Sequence, residues 1–303
     1  MSWRLLKNLW SSKRPAWRVI RIAVTICLAV TASIMLFEEK LIFFPSQYPE
    51  GYWNIERASP AEGRVAARIE DCYFKTSDGL TLHGWYCTPV GKLNGRVETL
   101  SPEAVLLWFH GNAGNVADRR ENIDCLIQLP ASLLIVDYRG YGRSEGRPSE
   151  SGLYKDAQAA WDYLTGERNV SPRRIIIFGE SLGGAPAIDL ATKVSPAGLI
   201  IQSSFTSVPD MAAAVLPGAP RFLMRTKMDS VNKVGRLACR KLFIHGRDDE
   251  VVPFKLGRKL FDAATEPKEF FEARGHHNDV YILGGAPYYD KIREFIRECG
   301  LAV

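Results

Sequence analysis

The chain lacks the residue patterns that mark several large protein classes. It has six cysteines in 303 residues, at positions 27, 72, 87, 125, 239 and 299, and no two form a Cys-x-x-Cys pair. That spacing argues against a zinc ribbon or a thioredoxin-like redox motif. Cys27 lies in an apolar run and leaves an odd number elsewhere, so no disulfide framework is indicated. Buried free thiols are the simpler reading; a Cys72–Cys87 bridge is the alternative for an oxidising compartment, because both stand on the arms of one expected hairpin. There is no phosphate loop, no metal-ligand spacing and no repeat of fixed period, so neither a cofactor nor a metal is expected. Gly140, Gly142 and Gly146 do not open a helix, and they read as turn glycines rather than a dinucleotide fingerprint.

Positive charge on the body of the chain is also missing. The formal net charge is +5, but Arg4, Lys7, Lys13, Arg14, Arg18 and Arg21 all precede the first acid, Glu38, and without these six the remainder stands at about −1. A nucleic-acid partner would need its cations clustered on the folded domain, so none is expected. The basic stretch leads instead into the uncharged run Ile22 to Phe37, extended upstream by Val19 and Ile20. With Trp17 at the interface and Arg21 snorkelling, the run reaches the roughly 20 residues needed to span a bilayer. Val30-Thr31-Ala32 could serve as a signal-peptide cleavage site, but the apolar run continues past it through Phe37, which favours an uncleaved anchor. The positive-inside bias then places the folded body on the non-cytoplasmic side of a single-pass membrane protein.

The expected organisation is a basic N-terminus and transmembrane helix over 1–40, a linker packing on the domain over 41–67, and one main domain over 68–303. Ile69–Thr76 and Leu80–Tyr86, joined by Ser77-Asp78-Gly79, read as a hairpin. Ala104–Phe109, Ser132–Val136, Arg174–Phe178, Gly198–Gln202 and Lys241–Ile244 are short, nearly continuous apolar runs, which suit strands buried on both faces of a parallel sheet. Helical patterns over Asn115–Gln128, Ser151–Gly166, Gly184–Val194, Phe254–Ala264 and Tyr288–Glu298 alternate with them. The fold class is therefore α/β, and ligands should bind beyond the carboxyl ends of the strands. Ser207 to Gly235, with Leu216-Pro217-Gly218-Ala219-Pro220 at its middle, interrupts the alternation and is the candidate lid.

Two segments match Gly-x-Ser-x-Gly, around Ser144 and around Ser181. A nucleophile elbow needs a strand running into a strained turn that opens a helix. RIIIF-GESLGG-APAIDLA supplies that arrangement at Ser181, whereas Ser144 sits well past its strand with Pro148 following. A serine hydroxyl needs a base within hydrogen-bond reach, itself oriented by a third group. His245, His276 and His277 are the histidines after Ser181; His245 closes a strand, while His276 and His277 lie in a loop before the last helix, where the base belongs. The acid should follow the strand ending at Ile244, and spacing leaves Asp248, Asp249 and Glu250 open.

These motifs resemble those of the N-terminally membrane-anchored α/β hydrolases that carry a serine-aminopeptidase-type domain and include palmitoyl-protein-thioesterase-like members. The resemblance runs from about Leu41 through LIFFP, His110-Gly111-Asn112-Ala113-Gly114-Asn115, Asp137-Tyr138-Arg139-Gly140-Tyr141-Gly142, Gly179-Glu180-Ser181-Leu182-Gly183-Gly184, Ser204-Phe205-Thr206-Ser207, His245-Gly246-Arg247-Asp248-Asp249-Glu250-Val251-Val252-Pro253 and His277-Asn278-Asp279. It implies an α/β-hydrolase fold with Ser181 as nucleophile, His277 as base and Asp249 as the acid that orients it. It also implies an oxyanion hole from the Asn112 and Leu182 amides, with His110 bracing that loop. Where relatives often carry glycine, this chain has His276. The implied activity is hydrolysis of a carboxylic ester or thioester, with a small or lipid-like acyl compound as substrate. A peptidase on the same triad and a non-catalytic membrane-bound interaction protein are the rival expectations.

Overall fold

The computed structural model of the chain describes residues 15–55, 60, 64–93, 96–102, 104–216, 221 and 224–301, with the side chains of 15, 16, 27–37 and 93 outside that set. Among the described residues, nine strands form one sheet. They are β1 (Val65–Lys75), β2 (Thr81–Leu93), β3 (Arg96–Thr99), β4 (Ala104–Phe109), β5 (Ala131–Val136), β6 (Ile175–Glu180), β7 (Gly198–Gln202), β8 (Arg240–Gly246) and β9 (Lys268–Ala273). Their spatial order is β1-β2-β5-β4-β6-β7-β8-β9, with β3 paired to β2. The β1–β2, β2–β3 and β2–β5 pairs are antiparallel, and every pair from β5 through β9 is parallel.

The apolar runs become the centre of this sheet because each is covered on both faces. All six residues of β4 are buried: Val105, Leu107 and Phe109 enter one core layer, and Ala104, Leu106 and Trp108 the other. β5, β6 and β7 are likewise buried throughout. The hairpin is longer than its sequence pattern suggested, beginning at Val65 and carrying β2 on to Leu93. The strand β9 was not foreseen. Its KEFFEA sequence is only partly buried at the sheet edge, so it lacks the continuous apolar signal of the central strands.

The expected helix over Asn115–Gln128 is a 3₁₀ turn, Val116–Arg119, followed by an α-helix, Arg120–Leu126; Asn115 caps the turn, accepting from Ala117 N–H at 2.9 Å. The helix over Glu150–Asp162 starts at its Ser149 cap, and Gly184–Ala191, Phe254–Ala263 and Gly285–Glu298 follow the remaining patterns with shifted ends. A Cys72–Cys87 bridge is excluded by register. Cys72 lies opposite Gly84 and Cys87 opposite Ile69, and the two thiols are buried in different core layers on opposite faces of the sheet.

At the N-terminus, α1 (Pro15–Ile42) is a 28-residue helix containing the segment expected to cross a membrane. The basic residues before it and the side chains of 27–37 lie outside the described set, and among the described residues no helix is long and apolar enough to cross a membrane. The stretch after α1 is more than a linker. Pro45 and Gln47 form parallel bridges to Gly114 and Gly142, so the segment runs across the loops that follow β4 and β5. In the candidate lid, Val208–Val215 forms a helix, while residues 217–220 lie outside the described set. Near the end of α1, the buried Glu38 carboxylate accepts the backbone N–H groups of Arg225 and Thr226 at 3.0 and 2.9 Å.

Removing that carboxylate leaves one buried donor, on Thr226, and one part-buried donor, on Arg225, without their acceptor. Glu38→Ala should lower stability by about 1–3 kcal/mol, read as a drop in urea midpoint. Glu39→Ala, at an exposed neighbour, should leave the midpoint unchanged; equal effects at both positions would remove the clamp assigned to Glu38.

Candidate active site

The sheet order reverses at β4, whose neighbours are β5 on one side and β6 on the other. Beyond the carboxyl ends of β4 and β6 lies the crevice that such a reversal opens. His110-Gly111-Asn112 leaves β4 there, and Ser181 leaves β6. Ser181 has a φ of 52°, in the left-handed region that a side-chain-bearing residue occupies at a cost of about 1–3 kcal/mol. The glycines beside it explain how the turn fits. A methyl group on Gly183 would stand 2.0 Å from the Phe109 carbonyl oxygen, and one on Gly184 2.1 Å from Ser204 Oγ. Ser204 in turn donates its hydroxyl to the Ser181 carbonyl at 2.8 Å, and Trp108 donates its indole N–H to Glu180 at 3.2 Å.

Around that turn the chain brings three side chains into line. Ser181 Oγ lies 2.9 Å from His277 Nε2, and His277 Nδ1 lies 2.8 and 3.0 Å from the two Asp249 oxygens. Asp249 follows β8, and His277 lies in the loop between β9 and the last helix. All three are at most 9% exposed, so water competes little for these contacts. Asp249 also accepts the N–H groups of Val251 and Val252 at 3.0 and 2.7 Å. Burial alone would raise its pKa; the hydrogen bonds from His245 and His277, with the backbone N–H, outweigh burial and hold the carboxyl well below the ordinary carboxylate range.

The other candidates lie elsewhere. Ser144 is tied into the turn after β5, donating to the Asp137 carbonyl at 2.7 Å and accepting from His83 N–H at 2.9 Å. His276 is exposed and its Nδ1 faces the Asp248 carbonyl at 3.1 Å. Asp248 is exposed, and Glu250 accepts the His277 backbone N–H at 3.2 Å. His245 has a role that its place at a strand end did not reveal. Its Nε2 lies 2.9 Å from the Val252 carbonyl and 3.3 Å from Asp249 Oδ2, so a second imidazole N–H bears on the same carboxylate. Gly257 makes room for that ring, since a methyl group there would stand 2.1 Å from His245 Nδ1.

Gly111 and Asn112 line a groove of about 500 Å³ together with Ser181, His277, Phe44, Arg119, Asn122, Glu180, Val251 and Tyr281, among others. A methyl group on Gly111 would lie 3.6 Å from Ser181 Cβ, so this loop passes directly over the serine. Tyr138 donates its hydroxyl to the His110 carbonyl at 2.7 Å. Burial, assisted by the Arg119 charge, pushes the His110 imidazole down to about 3. The ring is therefore neutral, and its Nδ1, 2.7 Å from the Gly111 carbonyl, is the protonated nitrogen because a carbonyl only accepts. A hydroxyl aligned with a buried imidazole and carboxylate beneath a backbone loop can support nucleophilic attack, proton shuttling and stabilisation of a developing oxyanion.

The sheet order and the strand–turn–helix at Ser181 are those of an α/β hydrolase, and similar proteins show the same family. The model of the serine aminopeptidase S33 family matches residues 100–227. An uncharacterized protein of Mycobacterium tuberculosis is 37% identical over 92% of this chain and 94% of its own length. The α/β-hydrolase domain-containing protein WAV2 of Arabidopsis thaliana is 33% identical over 90% of this chain and 92% of its own. Among solved structures, the Pyrococcus furiosus esterase Pf2001 superposes with a TM-score of 0.62 at 18% identity, covering 82% of this chain and 99% of that one, a likeness of fold. The chain belongs to the α/β-hydrolase superfamily.

A carboxyl with a depressed pKa in the folded state stabilises the fold above its unfolded value, near 4, and that contribution is lost as the pH falls through the folded value. The difference in Tm between wild type and Asp249→Asn should therefore narrow as the pH drops from about 4 towards 2. A difference that stays constant over that range would show that Asp249 is not held ionised by its partners.

Proposed function

We propose that the protein is a serine hydrolase that cleaves carboxylic ester or thioester bonds through an acyl-enzyme on Ser181. The observation that carries this reading is the unbroken line from Ser181 Oγ, which lines the groove with His277, through His277 to Asp249 behind it. In the attack step, His277 Nε2 takes the Ser181 proton as Oγ bonds to the acyl carbon, and Asp249 stabilises the imidazolium that forms. The oxyanion is met by the backbone N–H groups of Leu182 and Asn112. His277 then protonates the leaving alkoxide or thiolate, deprotonates a water that attacks the acyl-enzyme, and returns the proton to Ser181 as the acid departs. His245 acts behind the carboxylate, helping to fix its direction.

We also infer attachment to a bilayer through α1. Val19, Ile20, Ile22, Val24 and Ile26 are all exposed on this helix beside Arg18 and Arg21, an apolar surface with a basic flank. A lipidic acyl substrate fits that placement. The reading is tested by flotation with anionic vesicles, where replacing Ile20, Ile22 and Ile26 with Asp should release the protein; an unchanged bound fraction would remove the anchor.

A peptidase on the same three residues has one observation in its favour: Glu180 lines the groove beside Ser181, where a substrate amine could meet a carboxylate. That carboxylate already accepts from Trp108, which makes the ester or thioester reading the stronger. Hydrolysis of p-nitrophenyl esters and acyl thioesters of graded chain length, beside aminoacyl p-nitroanilides, separates the two. Ester or thioester turnover that falls by about 10³-fold or more in Ser181→Ala is expected. Preferential turnover of the anilides would establish the peptidase, and no turnover with no fluorophosphonate labelling would sink both.

A further inference from the structure

We propose that the segment leaving the N-terminal helix, Ile42–Ser46, is part of the catalytic apparatus, and that the Asn112 side chain is the positioning group joining it to the oxyanion loop. This rests on the hydrolase reading above. The segment is held against the loops after β4 and β5 by a ladder of backbone bonds. Gly114 N–H donates to Phe44 O at 3.3 Å, Ser46 N–H to Gly114 O at 3.2 Å and Gly142 N–H to Ser46 O at 2.9 Å. Phe43 is 3% exposed in the same core layer as Phe109 and Tyr141, while Phe44 lines the groove. A tether whose only task was to connect two parts would need none of these contacts.

Asn112 closes the ladder with its side chain. Its Nδ2 donates to the Ile42 carbonyl at 2.5 Å, and its Oδ1 accepts from Phe44 N–H at 3.2 Å and from the Tyr141 hydroxyl at 3.0 Å. The amide can sit only this way round, because the flipped form would set two donors against Phe44 N–H and an acceptor against the Ile42 carbonyl. Three bonds to one short side chain fix its rotamer and, through it, the backbone of Asn112. The preceding peptide is held independently, since its carbonyl, on Gly111, accepts from His110. In a trans peptide the N–H points opposite the carbonyl, so the Asn112 N–H is turned away from the buried His110 ring, towards the groove that Asn112 lines. The two anchorages leave that donor little freedom to reorient, which is what preorganised stabilisation of an oxyanion requires.

A donor displaced by a fraction of an ångström weakens the transition state more than the bound substrate, so the loss should fall on kcat rather than KM. The experiment compares the full chain with Asn112→Ala, Tyr141→Phe and the double variant. It measures ester kinetics, the rate of Ser181 labelling by a fluorophosphonate, and hydrogen–deuterium exchange over residues 41–48. Asn112→Ala should lower kcat and the labelling rate by about 10–100-fold with KM within about threefold, and should speed exchange over 41–48 specifically. Tyr141→Phe should cost a few-fold alone and nothing further on the Asn112→Ala background, because it acts through the same oxygen. Unchanged kcat and labelling, unchanged exchange over 41–48, or losses that multiply in the double variant would each overturn the proposal. If wild type neither turns over nor labels, the hydrolase reading falls and takes this one with it. If wild type reacts and Asn112→Ala reacts as fast, only the positioning role falls.

Discussion

Ser181 keeps a left-handed backbone conformation because the surrounding chain leaves its turn no room to relax. The end of β4 passes so close to Gly183 that the Phe109 carbonyl occupies the place of a Cβ, and Ser204 does the same at Gly184 while holding the Ser181 carbonyl. Strain of about 1–3 kcal/mol persists where neighbours over-determine the geometry, and here the neighbours are two central strands with every residue buried. The strain has a consequence for the site. A relaxed turn would let the hydroxyl drift, whereas this one sets it 2.9 Å from His277.

Opposite the elbow, the buried carboxylate of Asp249 organises the second half of the site. It takes two backbone N–H groups from its own turn and faces His277 and His245, so its orientation is fixed from three sides. An ionised group buried without such partners would be expensive; with them it is held charged, and the ring it faces is held in one tautomer. His110 shows the opposite solution. Burial keeps it neutral, and its value lies in the single carbonyl it can bind. The buried Asp249 carboxylate is thus held ionised by the donors that converge on it, whereas burial holds the His110 ring neutral.

The same logic extends to the segment after α1. In sequence, LIFFP looks like the apolar end of an anchor followed by a linker. In the fold it runs across the loops beyond β4 and β5, and the carbonyl of Ile42 and the N–H of Phe44 meet one asparagine side chain there. Glu38, one turn earlier, binds the backbone at Arg225 and Thr226. The helix end therefore touches both the loop over the serine and the segment that follows the sheet's seventh strand.

Local signals carried much of this in one dimension. The runs AVLLWF, SLLIV, RIIIF and GLIIQ suit strands covered on both faces, and a strand entering Gly-Glu-Ser-Leu-Gly-Gly before a helix suits an elbow. Those features follow from the chain's own periodicity and its steric needs, so the α/β class and Ser181 were legible without coordinates. Cys72 and Cys87 seemed able to meet until the register put them on opposite faces, and β9 went unseen because an edge strand lacks the uniform burial that makes an apolar run. Spacing left three acids open after β8. What singles out Asp249 in the structure is that its carboxylate alone is buried against His277 while Asp248 and Glu250 remain exposed. Asn112 was assigned its contacts only by folding, since it acts on groups brought to it by the helix end, whereas His245 turns back on Asp249 and Val252 in the loop that follows its own strand. Sequence alone determined which central segments would be buried and that the turn at Ser181 would be strained, because both follow from local composition and pattern. Tertiary structure alone decided which polar groups face one another, because hydrogen bonds across more than sixty residues, such as Asn112 to Ile42, depend on how the layers pack and not on any spacing along the chain.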